Sequence, residues 1–191
     1  MENITNTIKN STTLYGDVSL DVLERAKKIK LLVCDVDGVF SDGRIYLGND
    51  GEELKAFHTK DGFGIKALGS SGVEVAIITG RRSAIVANRM SALNVKHIVQ
   101  GQEDKLPALM TLAQQLNLTP DEIAYIGDDI PDLACILHVG LGISVSDAHP
   151  AVSAKANYIT FINGGFGAVR EVCDLIMQSQ GTLDDATGTS V

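Results

Sequence analysis

Short runs of aliphatic and β-branched residues alternate with helical patterns along most of this chain. The runs are Leu31 to Val36, Val73 to Thr79, Val95 to Gln100, Ile123 to Gly127, Val139 to Ser144 and Tyr158 to Phe161. They read as parallel strands buried on both faces. Between them, helical patterns lie near Gly62 to Ser70, Ser83 to Leu93, Asp104 to Leu116, Pro131 to Leu137, Pro150 to Ala154 and Phe166 to Met177. The repeating βα unit predicts an α/β fold, a doubly wound, Rossmann-like parallel sheet with helices on both faces. Arg44 to His58, RIYLGNDGEELKAFH, breaks the rhythm with two strand-like runs around Asn49-Asp50-Gly51, which predicts an inserted β-hairpin. Residues 1–28 read as an N-terminal extension and 29–180 as one domain. Residues 181–191, GTLDDATGTSV, are small and polar and read as a flexible tail.

Composition narrows the possibilities. With 191 residues, 45% of them hydrophobic, the chain can bury a sizeable core. A formal charge of -8 argues against a nucleic-acid partner, because phosphate backbones are gripped by surplus Lys and Arg. The same excess of carboxylate suits a hard divalent cation. Cys34, Cys135 and Cys173 are odd in number and sit in apolar runs, which fits reduced thiols in a cytoplasmic protein. The first residues show no apolar signal core, and no apolar run reaches about 18 residues, so neither export nor a membrane partner is expected.

The chemistry concentrates in acidic groups at strand ends. Leu31 to Cys34 runs into Asp35-Val36-Asp37-Gly38, and Ile123 to Gly127 runs into Asp128-Asp129-Ile130-Pro131-Asp132. In a parallel sheet the carboxyl ends of strands form the ligand crevice. Five carboxylates converging there would repel one another unless a cation neutralises them, and an oxygen-rich site of this kind suits Mg²⁺. Thr79-Gly80 ends the second strand, where a hydroxyl and backbone amides can hold a phosphoryl oxygen. Lys105 can bring a cation to the same crevice. Taken alone, Thr79 reads as a helix N-cap and Lys105 as a solvated surface lysine. His97, His138 and His149 lack metal-binding spacing. Gly164-Gly165-Phe166-Gly167 reads as a turn into the last helix, since no Lys-Ser/Thr pair follows it.

In the order DVDGV, ITG, Lys105 and GDDIPD, these residues resemble the four motifs of the haloacid dehalogenase superfamily of aspartate-nucleophile phosphatases. The segments FSDGRIYLGNDGEELKAFHTKDGFGIK, AIITGRRS and GGFGAVREVCDLI resemble the branch that acts on the 8-phosphate of an eight-carbon sugar acid in lipopolysaccharide precursor synthesis. The resemblance implies that Asp35 is the nucleophile and Asp37 the general acid and base. It implies Mg²⁺ held by Asp35, the Asp37 carbonyl and Asp128, with Asp129 and Asp132 in support and Thr79 and Lys105 on the phosphoryl oxygens. It also implies a sugar pocket lined by His58, Thr59, Lys60, Asp61, Gly62, Lys66, Arg81 and Arg89. Asp37 to Thr79 spans 42 positions and Thr79 to Asp128 spans 49, leaving no room for a cap domain. A lid must then come from another chain or the substrate must be macromolecular. The resembling family assembles a homotetramer through the hairpin. Two alternatives stay open: a phosphatase for a sialic-acid-type 9-phosphate, and a receiver-like domain phosphorylated on aspartate. Asp37 separates the second of these, because receivers carry no acid two positions after the phosphorylated residue.

Overall fold

A computed structural model describes residues 10–187. A short antiparallel pair, β1 (Asn10–Thr12) and β2 (Asp17–Ser19), leads into α1 (Leu20–Ala26), which the Ser19 side chain caps by accepting from the Val22 amide. There follow β3 (Leu31–Cys34), the hairpin of β4 (Tyr46–Leu47) and β5 (Glu53–Leu54), α2 (Thr59–Ser70), β6 (Glu74–Thr79), α3 (Ala84–Ala92) and β7 (His97–Gln100). The chain continues through α4 (Lys105–Gln115), β8 (Ile123–Gly127), α5 (Leu133–His138), β9 (Leu141–Ser144), α6 (Pro150–Ser153), β10 (Tyr158–Ile159) and α7 (Ala168–Gln180). Among the described residues, six strands form one parallel sheet in the order β10-β9-β8-β3-β6-β7. The winding direction reverses between β3 and β8, and there a doubly wound sheet opens a crevice.

Period-two alternation divides the core. Leu32 and Cys34 of β3 pack with Ile77, Ile126 and the apolar faces of α1, α2, α3 and α7. Leu31 and Val33 point the other way, against Leu109 and Leu112 of α4 and Cys135 and Ile136 of α5. α2 and α7 lie close because α2 carries glycine at the contact: a Cβ on Gly64 would stand 3.1 Å from the Arg170 α-carbon. Arg170 crosses the same contact, stacked 4.5 Å over Phe63 and bonded to Asp174 at 2.8 Å.

The doubly wound sheet and the inserted hairpin are as expected, and so is the lack of any cap segment within the described chain. The described part of the N-terminal extension carries β1, β2 and α1, and strands of three residues carry no readable period in sequence. α2 starts at Thr59 rather than Gly62 because His58 caps it, its Nδ1 accepting from the Lys60 amide at 3.1 Å. Within the tail, Leu183 and Ala186 pack against the first core cluster; residues 188–191 lie outside the described residues. No described helix is long and apolar enough to cross a membrane.

One buried carboxylate ties the end of the sheet to α7. Glu171 accepts from Tyr158 Oη at 2.6 Å, from the Phe161 amide at 2.8 Å and from the Ile162 amide at 3.0 Å. These bonds draw residues 161 and 162 away from strand pairing, which is why β10 stops at Ile159. Replacing Glu171 with Ala strands three donors, and we expect the unfolding free energy to fall by about 3 kcal/mol in urea titrations at fixed protein concentration.

Candidate active site

The carboxyl ends of β3, β6 and β8 adjoin at the switch point. Asp35 directly follows β3, its amide donating to the Ile126 carbonyl at 3.0 Å. It continues the face of Leu31 and Val33, so its side chain turns toward α4. The first residue of α4, Lys105, is only 4% exposed. Its ammonium lies 2.7 Å from Asp35 Oδ1 and 2.7 Å from Asp132 Oδ1. The expectation of a solvated lysine is thus overturned, because two carboxylates draw the charge inward.

Asp132 is the fixed point of the group. Its Oδ1 accepts from Lys105 and from Tyr125 Oη at 2.6 Å, and its Oδ2 accepts from the amides of Asp128 at 3.2 Å and Asp129 at 3.4 Å. Four donors occupy its two oxygens, so Asp132 orients Lys105 and the loop after β8 and has little capacity left to ligate. Asp129 points elsewhere. It is exposed, and its carboxylate accepts from the Ile130 amide at 2.8 Å, capping the turn at 130–132 rather than reaching Lys105.

Oxygens of Asp35, Asp128 and Asp132 lie within 4.8 Å of one another. With Asp132 saturated, Asp35 and Asp128 are the carboxylates free to meet a ligand. Three carboxylates against one ammonium leave two negative charges, the complement of a divalent ion. Burial, followed by the Asp132 charge, raises Asp35 to about 6 against the pull of Lys105. Burial, then Asp35 and Asp132, raise Asp128 to about 8. Burial alone would lower Lys105, but the paired carboxylates outweigh it and hold the lysine above its ordinary value. A hard, all-oxygen donor set under such repulsion fits Mg²⁺.

Asp37 stands on the loop beyond β3. Gly38 has φ +92°, and a side chain there would collide with the Asp128 carboxylate. From behind, a Cβ on Gly164 would run into the Gly38 carbonyl oxygen, while the Gly165 amide donates to the Val39 carbonyl at 2.8 Å. The Gly164 to Gly167 segment therefore turns into α7, as expected, and also braces the Asp37 loop. The Asp37 carboxylate pairs with Lys55, and lies 3.5 Å from Ser41 Oγ and 3.9 Å from Arg81 Nε. Arg81 Nη2 reaches Glu53 at 3.8 Å. Lys55, Glu53, Ser41 and Tyr125 are absent from the candidates drawn from sequence. Glu53 and Lys55 carry a signal, since alternate residues of a hairpin strand share a face, and a tyrosine inside an otherwise apolar strand needs a hydroxyl partner.

Thr79 is buried at the end of β6, beside β3, and its carbonyl accepts from the Gln102 amide at 3.1 Å. It caps no helix; Ser83 stands at the N-cap of α3. His58 caps α2, while Thr59 and Lys60 are exposed. Because α2 already includes Asp61, that residue faces α7 instead of the crevice: it is 1% exposed, and its Oδ1 accepts from the Arg170 amide at 2.8 Å. Burial raises it to about 7, against the Arg170 amide and nearby cations. The Arg89 guanidinium lies over Gly62. Lys66 lines a cavity of about 690 Å³ with Gly72, Glu74 and Lys96. That cavity lies at the amino end of β6, so Lys66 is separated from the Asp35 crevice, because α2 runs back from it. His97 pairs with Glu74 and His149 caps α6, both structural roles.

A doubly wound sheet with Asp35 and Asp37 after its central strand, Thr79 ending the next, and Lys105 with Asp128 and Asp132 opposite defines the class of haloacid dehalogenase-like hydrolases. A family model described by that name matches residues 89–171. The 3-deoxy-D-manno-octulosonate 8-phosphate phosphatase of Yersinia pestis is 54% identical over 94% of this chain and 96% of its own. A 1.95 Å crystal structure of the Y. pestis enzyme superposes with a TM-score of 0.94 at 52% identity, covering 96% of this chain and 100% of that one. The enzyme of Moraxella catarrhalis, solved with magnesium, phosphate and KDO, gives a TM-score of 0.85 at 48% identity over 86% of this chain and 95% of that one. The chain belongs to the family of 3-deoxy-D-manno-octulosonate 8-phosphate phosphatases, and the receiver-like alternative falls away.

The raised carboxylates set a pH dependence. Asp35, Asp61 and Asp128 hold protons in the folded state that the unfolded chain, titrating near pH 4, has already released. The folded state binds more protons, so stability falls as pH rises through about 6 to 8. We expect the Tm of metal-free protein to drop between about pH 5 and about pH 9. Added Mg²⁺ should raise it more at the alkaline end, where its ligands are deprotonated. Scanning calorimetry with and without chelator reads both.

Proposed function

We propose that this chain is a magnesium-dependent phosphatase that converts 3-deoxy-D-manno-octulosonate 8-phosphate to the free sugar acid and phosphate, in the synthesis of lipopolysaccharide precursors. The observation that carries this reading is the set of buried Asp35, Lys105 and Asp132 with half-buried Asp128, in a chain matched over nearly its whole length by phosphatases of that substrate. The M. catarrhalis relative, which holds magnesium, phosphate and KDO together, supports the same combination here.

In this reading the Asp35 carboxylate attacks phosphorus and an aspartyl-phosphate forms as the bond to the sugar oxygen breaks. Asp37 gives its proton to that departing oxygen, then takes one from the water that hydrolyses the acyl phosphate. Lys105 and the Thr79 hydroxyl hold the transferring phosphoryl oxygens, and Lys105 also fixes the rotamer of Asp35. Asp35, the Asp37 carbonyl and Asp128 would hold Mg²⁺, which when bound shields phosphate charge from the nucleophile. Arg81, half exposed beside Asp37, is assigned to the sugar acid in this reading, together with His58, Thr59 and Lys60 at the start of α2. The hairpin supports a homo-oligomer, a tetramer in this reading, because Tyr46, Leu47 and Leu54 are 48%, 73% and 64% exposed. Neighbouring protomers would then cover a crevice that no cap segment closes among the described residues. Three buried free cysteines support a cytoplasmic setting.

Asp35→Asn should lower kcat by about 10⁴-fold or more while the oligomer persists on size exclusion, and full activity would refute its role as nucleophile. In a phosphate-release panel with Mg²⁺, the octulosonate 8-phosphate should give the highest kcat/KM. Faster turnover of a sialic-acid-type 9-phosphate would displace the substrate assignment. An active monomer at sizing would end the shared-lid reading.

A further inference from the structure

We propose that Lys55, held by Glu53, is a positioning residue that fixes the Asp37 carboxyl against the oxygen of the leaving sugar. This rests on the reading of Asp37 as the general acid. The hairpin places both residues on one face, with Leu54 between them turned outward and 64% exposed. The Lys55 side chain has no exposed surface, although it belongs to a hairpin whose paired strands are two residues long. An ammonium is enclosed in this way only where carboxylates surround it. Its partners are Asp37, in direct contact, and Glu53 Oε1 at 3.4 Å.

Arg81 touches the same two carboxylates differently. It is 49% exposed and stands 3.9 Å from Asp37 and 3.8 Å from Glu53, so it can turn to an anionic group of an incoming substrate. Lys55 is enclosed and stays. Asp37 belongs to a loop, not to a strand or helix, and no element of its own sets its rotamer. Beyond Lys55 and Arg81, its carboxylate has, among the described residues, only Ser41 Oγ at 3.5 Å. The proton passes from the Asp37 carboxyl to the sugar alkoxide as the bond from phosphorus to that oxygen breaks. Lys55 exchanges no proton. A carboxyl rotated away from the alkoxide leaves that step without its acid.

The leaving group supplies the test. A sugar alkoxide needs a proton to depart, whereas p-nitrophenolate does not. With Lys55→Met, rapid-quench measurement of phosphoenzyme formation should show a loss of about tenfold or more with the octulosonate 8-phosphate. The burst of p-nitrophenolate from p-nitrophenyl phosphate should stay within about twofold of the parent, and Lys55→Arg should recover part of the loss. A structural fault would slow both substrates alike; that result, or equal retention on both, overturns the proposal. Asp37→Asn runs alongside. If it slows both substrates equally, the general-acid reading itself fails. If it discriminates between them and Lys55→Met does not, only the positioning role fails. Should Lys55→Met not fold, Glu53→Gln keeps the side-chain shape and must show the same discrimination in weaker form, or the proposal is wrong.

Discussion

A single ammonium group makes the crevice possible. Lys105 stands between Asp35 and Asp132, and without it these two buried carboxylates and half-buried Asp128 would face one another in a medium that screens poorly. The lysine cannot wander, because Asp132 is anchored in turn by Tyr125 and by two amides of the loop after β8. Position therefore passes along a chain of contacts: the strand fixes Tyr125, Tyr125 fixes Asp132, Asp132 fixes Lys105, and Lys105 fixes the rotamer of Asp35. Each link is a charge-assisted or buried hydrogen bond, the kind whose loss costs most.

The two helical layers contribute differently. The layer of α4 and α5 supplies charge through Lys105 and Asp132. The layer of α2 and α7 supplies shape. Gly64 lets α7 come close, Glu171 ties the chain after β10, and Gly164 rests on the Gly38 carbonyl. Asp61, a buried carboxylate at the first turn of α7, belongs to this second task. Its burial against α7 follows from the start of α2 at Thr59.

Much of this is legible in the sequence, for reasons that differ by element. The strands β3, β8 and β9 are buried on both faces, and the run Ile123 to Gly127 coincides with β8 because glycine and aspartate end it abruptly. Tyr158 to Phe161 outruns β10 because the competitor for its amides, Glu171, lies ten residues further on. The start of α2 is obscured because histidine is not among the usual N-caps. The paired aspartates stand out through their position at strand ends. Lys105 does not, since its burial depends on Asp35 and Asp132, 70 and 27 residues away. Lys55 is the harder case. Its residue type predicts solvent, and only the folding of the hairpin back over Asp37 encloses it.

That hairpin sits in the chain between the loop bearing Asp37 and the helix capped by His58, and its outer surface is free of the central sheet. Such an insertion resembles an interchangeable cassette, one that could be lengthened or recombined to suit a different substrate rim while the sheet stays as it is. The inward pair restricts that freedom. A graft that kept the turn and the apolar outer positions but lost Lys55 would leave Asp37 without its enclosed charge partner, and one that lost Glu53 would leave that partner less enclosed in charge. Diversification at this edge of the fold is therefore confined to the residues that face outward.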